Sequence, residues 1–113
     1  MIAVAPTLEA VAKPSAHELL RADVAVVGAG PAGIAAAARA AEAGRRVVVL
    51  DEAPNVGGQI WRHRTHAALA ADARRWIERL NRTSADLRHG VAVIDVVAHD
   101  GGSGFTIVAE RHR

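Results

Sequence analysis

The chain of 113 residues contains no cysteine and no tyrosine, and only one phenylalanine and two tryptophans. Without cysteine these residues hold no dithiol redox pair, no thiolate-ligated zinc or iron–sulfur site and no disulfide framework. A surplus of charge is also missing: 14 Lys and Arg stand against 12 Asp and Glu, for a net charge of +2. The arginines are spread from Arg21 to Arg113, with few aromatic side chains among them to stack on bases, so a nucleic-acid partner is not expected. No apolar run is long enough to span a membrane. Met1 to Ala22, interrupted by Pro6 and Pro14, lacks both the basic start and the long apolar centre of a signal peptide. A cytoplasmic location is therefore expected. Residues 1–22 read as a partly ordered leader, with one or two helical turns over Ser15 to Arg21. The length permits one domain, 23–113, burying about two-thirds of the surface its unfolded form exposes.

What the chain does have is DVAVVGAGPAGIAAAARAAEAGRRVVVLDE, from Asp23 to Glu52. Val24 to Val27 is a continuous apolar run, as expected of a strand buried on both faces of a parallel sheet. Three glycines follow, each with its own function. Gly28 permits a tight turn, Gly30 clears space for a diphosphate against the backbone, and Gly33 lets a helix lie close on the strand. Pro31 suits the first helical position, where its missing N–H is no loss. The remaining N–H groups and the positive end of the helix dipole favour an anion. Ile34, Ala38 and Ala41 fall on one helical face, Arg39 and Glu42 lie off it, and Gly44 closes the helix. A second strand is read over Arg46 to Leu50. Asp51 at its end stands about 20 residues beyond the glycine turn, where a carboxylate accepts hydrogen bonds from ribose hydroxyls and repels a 2′-phosphate. The pattern predicts an α/β fold with a Rossmann-like βαβ unit that takes FAD or NAD rather than NADP.

Further along, Thr65 is an expected N-cap for a helix over about 66–80, with Leu69, Ala73, Trp76, Ile77 and Leu80 as its apolar stripe. Such a helix serves as the crossover to a third parallel strand. Val91 to Val97 reads as a strand, with Asp95 at a bend or edge. A turn rich in glycine and Phe105 to Ala109 then make a hairpin that starts an antiparallel meander. His63 and His66 lack a nearby acid or cysteine to complete a ligand set, so no metal is expected. The single G-x-G-x-x-G provides for one nucleotide site only.

The run LDEAPNVGGQIWR, together with GAGPAG, resembles the amino-terminal FAD-binding segment of the two-component flavin-dependent amine and amino-acid dehydrogenases. That family includes the larger subunits of hydrogen cyanide synthase, opine oxidase and hydroxyproline dehydrogenase and is related to heteromeric sarcosine oxidase. The resemblance is strongest over residues 23–62. It implies FAD as cofactor, held by Gly28, Gly30, Pro31, Ala32 and Gly33 at the diphosphate and Asp51 at the ribose, with Glu52 beside the adenosine. It further places Gly57 and Gly58 along the diphosphate and ribityl chain and Gln59 towards the flavin. The implied activity is oxidation of an amine or amino acid by hydride transfer to the flavin. The implied partner is a second flavoprotein subunit, and no catalytic residue is assigned here. On this reading the chain carries the amino-terminal part of an incomplete domain. A truncated non-catalytic dinucleotide-binding module and a fragment of an NAD-binding dehydrogenase remain as alternatives.

Overall fold

The computed structural model describes residues 1–7, 18–53 and 67–111. The strand Val47–Asp51 lies at its centre, buried at every position. Numbered in chain order, the elements are β1 (Ile2–Ala5), β2 (Glu18–Arg21), β3 (Val24–Val27), α1 (Pro31–Glu42), β4 (Val47–Asp51), α2 (Ala67–Asn81), β5 (Asp86–His89), β6 (Val91–Ala98) and β7 (Phe105–Arg111). One sheet is parallel, in the order β3-β4-β5; the other runs β2-β1-β7-β6. Side chains alternate along β4, as a strand requires. Val47 and Val49 pack towards the helices with Ile34, Ala37, Ala38 and Leu80, whereas Val48 and Leu50 pack towards the second sheet with Ile2, Val4, Val91 and Ala109. The result is three layers: helices, parallel sheet, second sheet. Val47 to Leu50 are each at most 2% exposed, so each contributes about 1.5–3 kcal/mol relative to an exposed position.

The α/β fold with its βαβ unit, crossover helix, third parallel strand and antiparallel hairpin is as the sequence predicts, with three corrections. The first strand is covered on both faces only in part: Val24 and Val26 pack on the helix side and Ala25 towards the second sheet, but β3 is an edge of its three-stranded sheet and Val27 is 59% exposed, while β4, paired on both sides, is the fully buried strand. The third parallel strand is β5, the polar DLRH ahead of Val91, in register with β4 from Val48↔Asp86 to Asp51↔His89. Residues 18–21 form a strand rather than helical turns. β2 pairs in parallel with β1, and β1, the start of the expected leader, is fully buried between β2 and an antiparallel β7. Strand pairing supplies the backbone hydrogen bonds that a short isolated helix would leave unmet.

In the hairpin, the register of β6 against β7 shifts between Val93 and Asp95, a bulge at the place where Asp95 marks an expected bend. α1 ends as expected: Gly44 and Arg45 donate back to the carbonyls of Ala41 and Ala40, which satisfies the last turn. On α2, Ala73 and Leu80 are buried, and Trp76 and Ile77 pack beside the same cluster. The Arg79 guanidinium lies 4.3 Å from the Trp76 ring centre and makes two hydrogen bonds to the Glu42 carboxylate, tying α2 to α1. No helix among the described residues is long and apolar enough to cross a membrane.

A charge network joins the two sheets. Glu18 on β2 accepts from Arg111 on β7 at 2.6 Å and from Arg88 on β5, and Arg88 also pairs with Asp86. The Arg111 and Arg88 hydrogen bonds hold the Glu18 carboxyl below its ordinary range. A carboxyl so lowered binds its proton less tightly in the folded chain than in the unfolded one. Its stabilisation is therefore complete above the unfolded value and fades as pH falls through the folded one. The gap in melting temperature between the native chain and Glu18→Gln should accordingly shrink as pH falls from about 6 to about 3. Thermal melts across that range check this; a constant gap would contradict the role of the network.

Candidate functional site

The carboxyl ends of β3 and β4 meet the start of α1 through Gly28, Ala29 and Gly30. Gly28 donates to the Leu50 carbonyl at 2.8 Å with φ +97, a left-handed conformation that suits glycine and turns the chain from β3 into α1. Gly30 is the N-cap residue, no side chain caps the first turn, no acid lies within it, and Pro31 opens the helix. A Cβ built on Gly30 would meet no atom of the described residues within 4 Å, so among them the space in front of the turn is open. At Gly33 the situation is reversed: a Cβ would lie 2.0 Å from the Gly28 carbonyl oxygen. This glycine is what allows α1 to sit on the turn. Ala32 is exposed beside it.

Asp51 ends β4 and is 8% exposed. Its Oδ1 accepts the Ala29 N–H at 3.0 Å, which fastens the turn to the neighbouring strand, while Oδ2 is buried with no hydrogen-bond partner among the described residues. Such an oxygen costs about 1–3 kcal/mol if left unmet, so a donor is called for. Glu52, the next residue, is exposed. Between these groups lies a cavity of about 320 Å³, walled by Val27, Leu50, Val91 and Val93 and bordered by Gly28, Asp51 and Glu52. It lies at the carboxyl end of the strands, where open α/β sheets take their ligands, and its volume is at the lower end of the range of about 300–1,000 Å³ for small-molecule sites.

The structure thus places Gly28, Asp51 and Glu52 on the border of the cleft, while Gly30, Pro31, Ala32 and Gly33 lie at the start of α1, next to Gly28 in the chain. Gly57, Gly58 and Gln59, like Trp61, Arg62, His63, Thr65 and His66, lie outside the described residues. Sequence reasoning missed the Ala29 N–H that occupies Asp51, the cleft walls Val91 and Val93, and His89 at the end of β5. Only the first carried a signal, since a carboxylate at a strand end beside a turn makes a strong acceptor for a free turn N–H. The other two depend on where β6 and β5 sit against β4, which local pattern does not reveal.

Comparison with known proteins agrees with this fold. The model of a family described as FAD dependent oxidoreductase matches residues 23–103. An opine oxidase subunit of Rhizobium meliloti (strain 1021) is 62% identical over 40 residues, covering 35% of this chain and 9% of that protein. The alpha subunit of sarcosine oxidase from Corynebacterium sp. (strain P-1) is 37% identical over an alignment of 113 residues, covering 84% of this chain and 12% of that protein. Among solved structures, L-proline dehydrogenase from P. horikoshii superimposes with a TM-score of 0.62 at 26% identity, over 80% of this chain and 19% of that one. The chain therefore spans about a tenth of the length of these curated relatives.

Proposed function

The chain belongs to the FAD dependent oxidoreductase family, and from that premise we propose that it grips the ADP half of FAD over the carboxyl ends of β3 and β4, as the cofactor-holding portion of an oxidoreductase acting on an amine or amino acid. The observation that carries the reading is Asp51: a buried carboxylate with one oxygen fixed by the glycine turn and the other without a partner among the described residues, at the edge of a cleft of suitable size. The uncapped first turn of α1 offers N–H groups and a positive dipole end to the diphosphate, and Gly30 leaves the approach clear. Val27, Leu50, Val91 and Val93 supply apolar walls for the adenosine, and Glu52 borders it. Gly57, Gly58 and Gln59, outside the described residues, are proposed on the sequence resemblance to continue the contact towards the flavin.

When bound, FAD supplies an isoalloxazine ring able to accept a hydride. The residues of this chain bind and orient its ADP end. They assign no general base. Amine and amino-acid substrates are supported by the names of the relatives, opine oxidase and sarcosine oxidase. A partner in the form of a second flavoprotein subunit is supported by the description of both relatives as subunits.

Asp51→Asn tests the site. Exchanging a charged acceptor for a neutral amide should weaken ADP and FAD binding by about 1–2 kcal/mol. The lost charge should also relax discrimination against a 2′-phosphate, so that NADP competes better with the variant than with the native chain. Competition by NADP that is equally poor in both would refute the assignment of Asp51.

A further inference from the structure

We infer that His89 is a second ribose contact and that Asp51 and His89 act as a pair on the two neighbouring hydroxyls of the adenosine, an inference that rests on the reading of the cleft as an adenosine site. The two residues end adjacent parallel strands and stand opposite each other in register. Side chains in such register leave the sheet on the same face, from strands about 4.8 Å apart. That face is the helix face: Val49 and Leu87, also paired and two residues earlier, both pack in the cluster under α1 and α2. Among the described residues, the buried side-chain polar atoms that lack a hydrogen-bond partner are Asp51 Oδ2 and His89 Nδ1. Unmet buried polar atoms call for an explanation, and two at neighbouring positions point to one ligand that meets both.

The chemistry of a vicinal diol matches this pair. A carboxylate with both oxygens free can take both ribose hydroxyls by itself. Here Oδ1 already accepts the Ala29 N–H at 3.0 Å, whereas Oδ2 has no partner among the described residues and is the oxygen with its full capacity left to accept from a hydroxyl. The other hydroxyl falls to His89 Nδ1, and because a hydroxyl both donates and accepts, either tautomer of the imidazole serves. Asp51 thus divides its work between shaping the turn and binding, and His89 completes the contact.

The test is calorimetric titration of the chain with ADP, 2′-deoxy-ADP and 3′-deoxy-ADP, repeated on His89→Ala and His89→Asn, with circular dichroism to establish that each variant is folded. In the native chain both deoxy nucleotides should bind about threefold to tenfold more weakly than ADP, since each hydroxyl has its own partner. His89→Ala should weaken ADP by a similar factor and leave unchanged the affinity for whichever deoxy nucleotide lacks the hydroxyl it meets. His89→Asn, which keeps a polar atom near the Nδ1 position, should restore much of the loss. A native chain indifferent to one of the two hydroxyls would overturn the pairing, even if His89→Ala did not fold. So would a folded His89→Ala that weakens all three ligands equally or none. Native chain that binds no ADP would instead remove the proposed function itself, and the two failures are thereby distinguished.

Discussion

Gly33→Ala should destabilise the fold by about 3 kcal/mol or more, at or above the usual range of about 1–3 kcal/mol for overpacking. The added Cβ would lie 2.0 Å from the Gly28 carbonyl oxygen, 3.1 Å from its carbon and 3.3 Å from Val26 Cγ1. The first two obstacles are backbone, which cannot swing aside as the end of a flexible side chain can. To relieve the clash α1 must lift from β3, and the contacts of Ile34, Ala37 and Ala38 with Val47 and Val49 loosen together. For a chain of this size such a loss corresponds to a fall in melting temperature on the order of 10–20 °C. Thermal and urea melts followed by circular dichroism check it. An unchanged midpoint would mean that the helix does not rest on the turn.

Gly30→Val should have the opposite signature. Gly30 has φ −76 and ψ −174, an extended conformation open to any residue, and a Cβ there meets no atom of the described residues within 4 Å. Stability should therefore change by less than about 1 kcal/mol. The valine side chain would instead fill the space in front of α1, where the diphosphate is proposed to lie. Losing even two charge-assisted hydrogen bonds there removes about 3 kcal/mol or more of binding, which is about a hundredfold in affinity. A folded Gly30→Val that binds ADP as tightly as the native chain would count against the site. Taken together, the two substitutions separate the glycine that holds the helix from the glycine that admits the ligand.

The unit from β3 to β4 was legible in the sequence because each of its parts obeys a local rule: a positive φ at Gly28, a proline at the first turn of α1, a helix-closing glycine at Gly44 and a carboxylate at a strand end. The hairpin of β6 and β7 was legible for the same reason, its turn being dense in glycine. β5 was not, because DLRH has a single apolar residue and Arg88 is held there through ion pairs with Asp86 and with Glu18 of the other sheet. β1 was missed for a related reason. IAVA is too short to identify by periodicity, and its antiparallel partner, β7, comes from the far end of the chain. The candidate site divides along the same line. The glycines and Asp51 follow from sequence spacing, whereas His89 stands beside Asp51 only once β5 is set against β4, and the walls Val91 and Val93 come from β6 of the other sheet.

The central claim is that this chain recognises the ADP half of FAD, and titration calorimetry on the chain with FAD, ADP, FMN and riboflavin tests it most directly. The contacts proposed for the described residues are to the diphosphate and the adenosine, so ADP should bind and displace FAD, while FMN and riboflavin should neither bind comparably nor compete. A few good hydrogen bonds offset by the entropy of association correspond to a dissociation constant of about a micromolar or weaker. FMN binding as tightly as FAD, or ADP failing to displace FAD, would contradict the account.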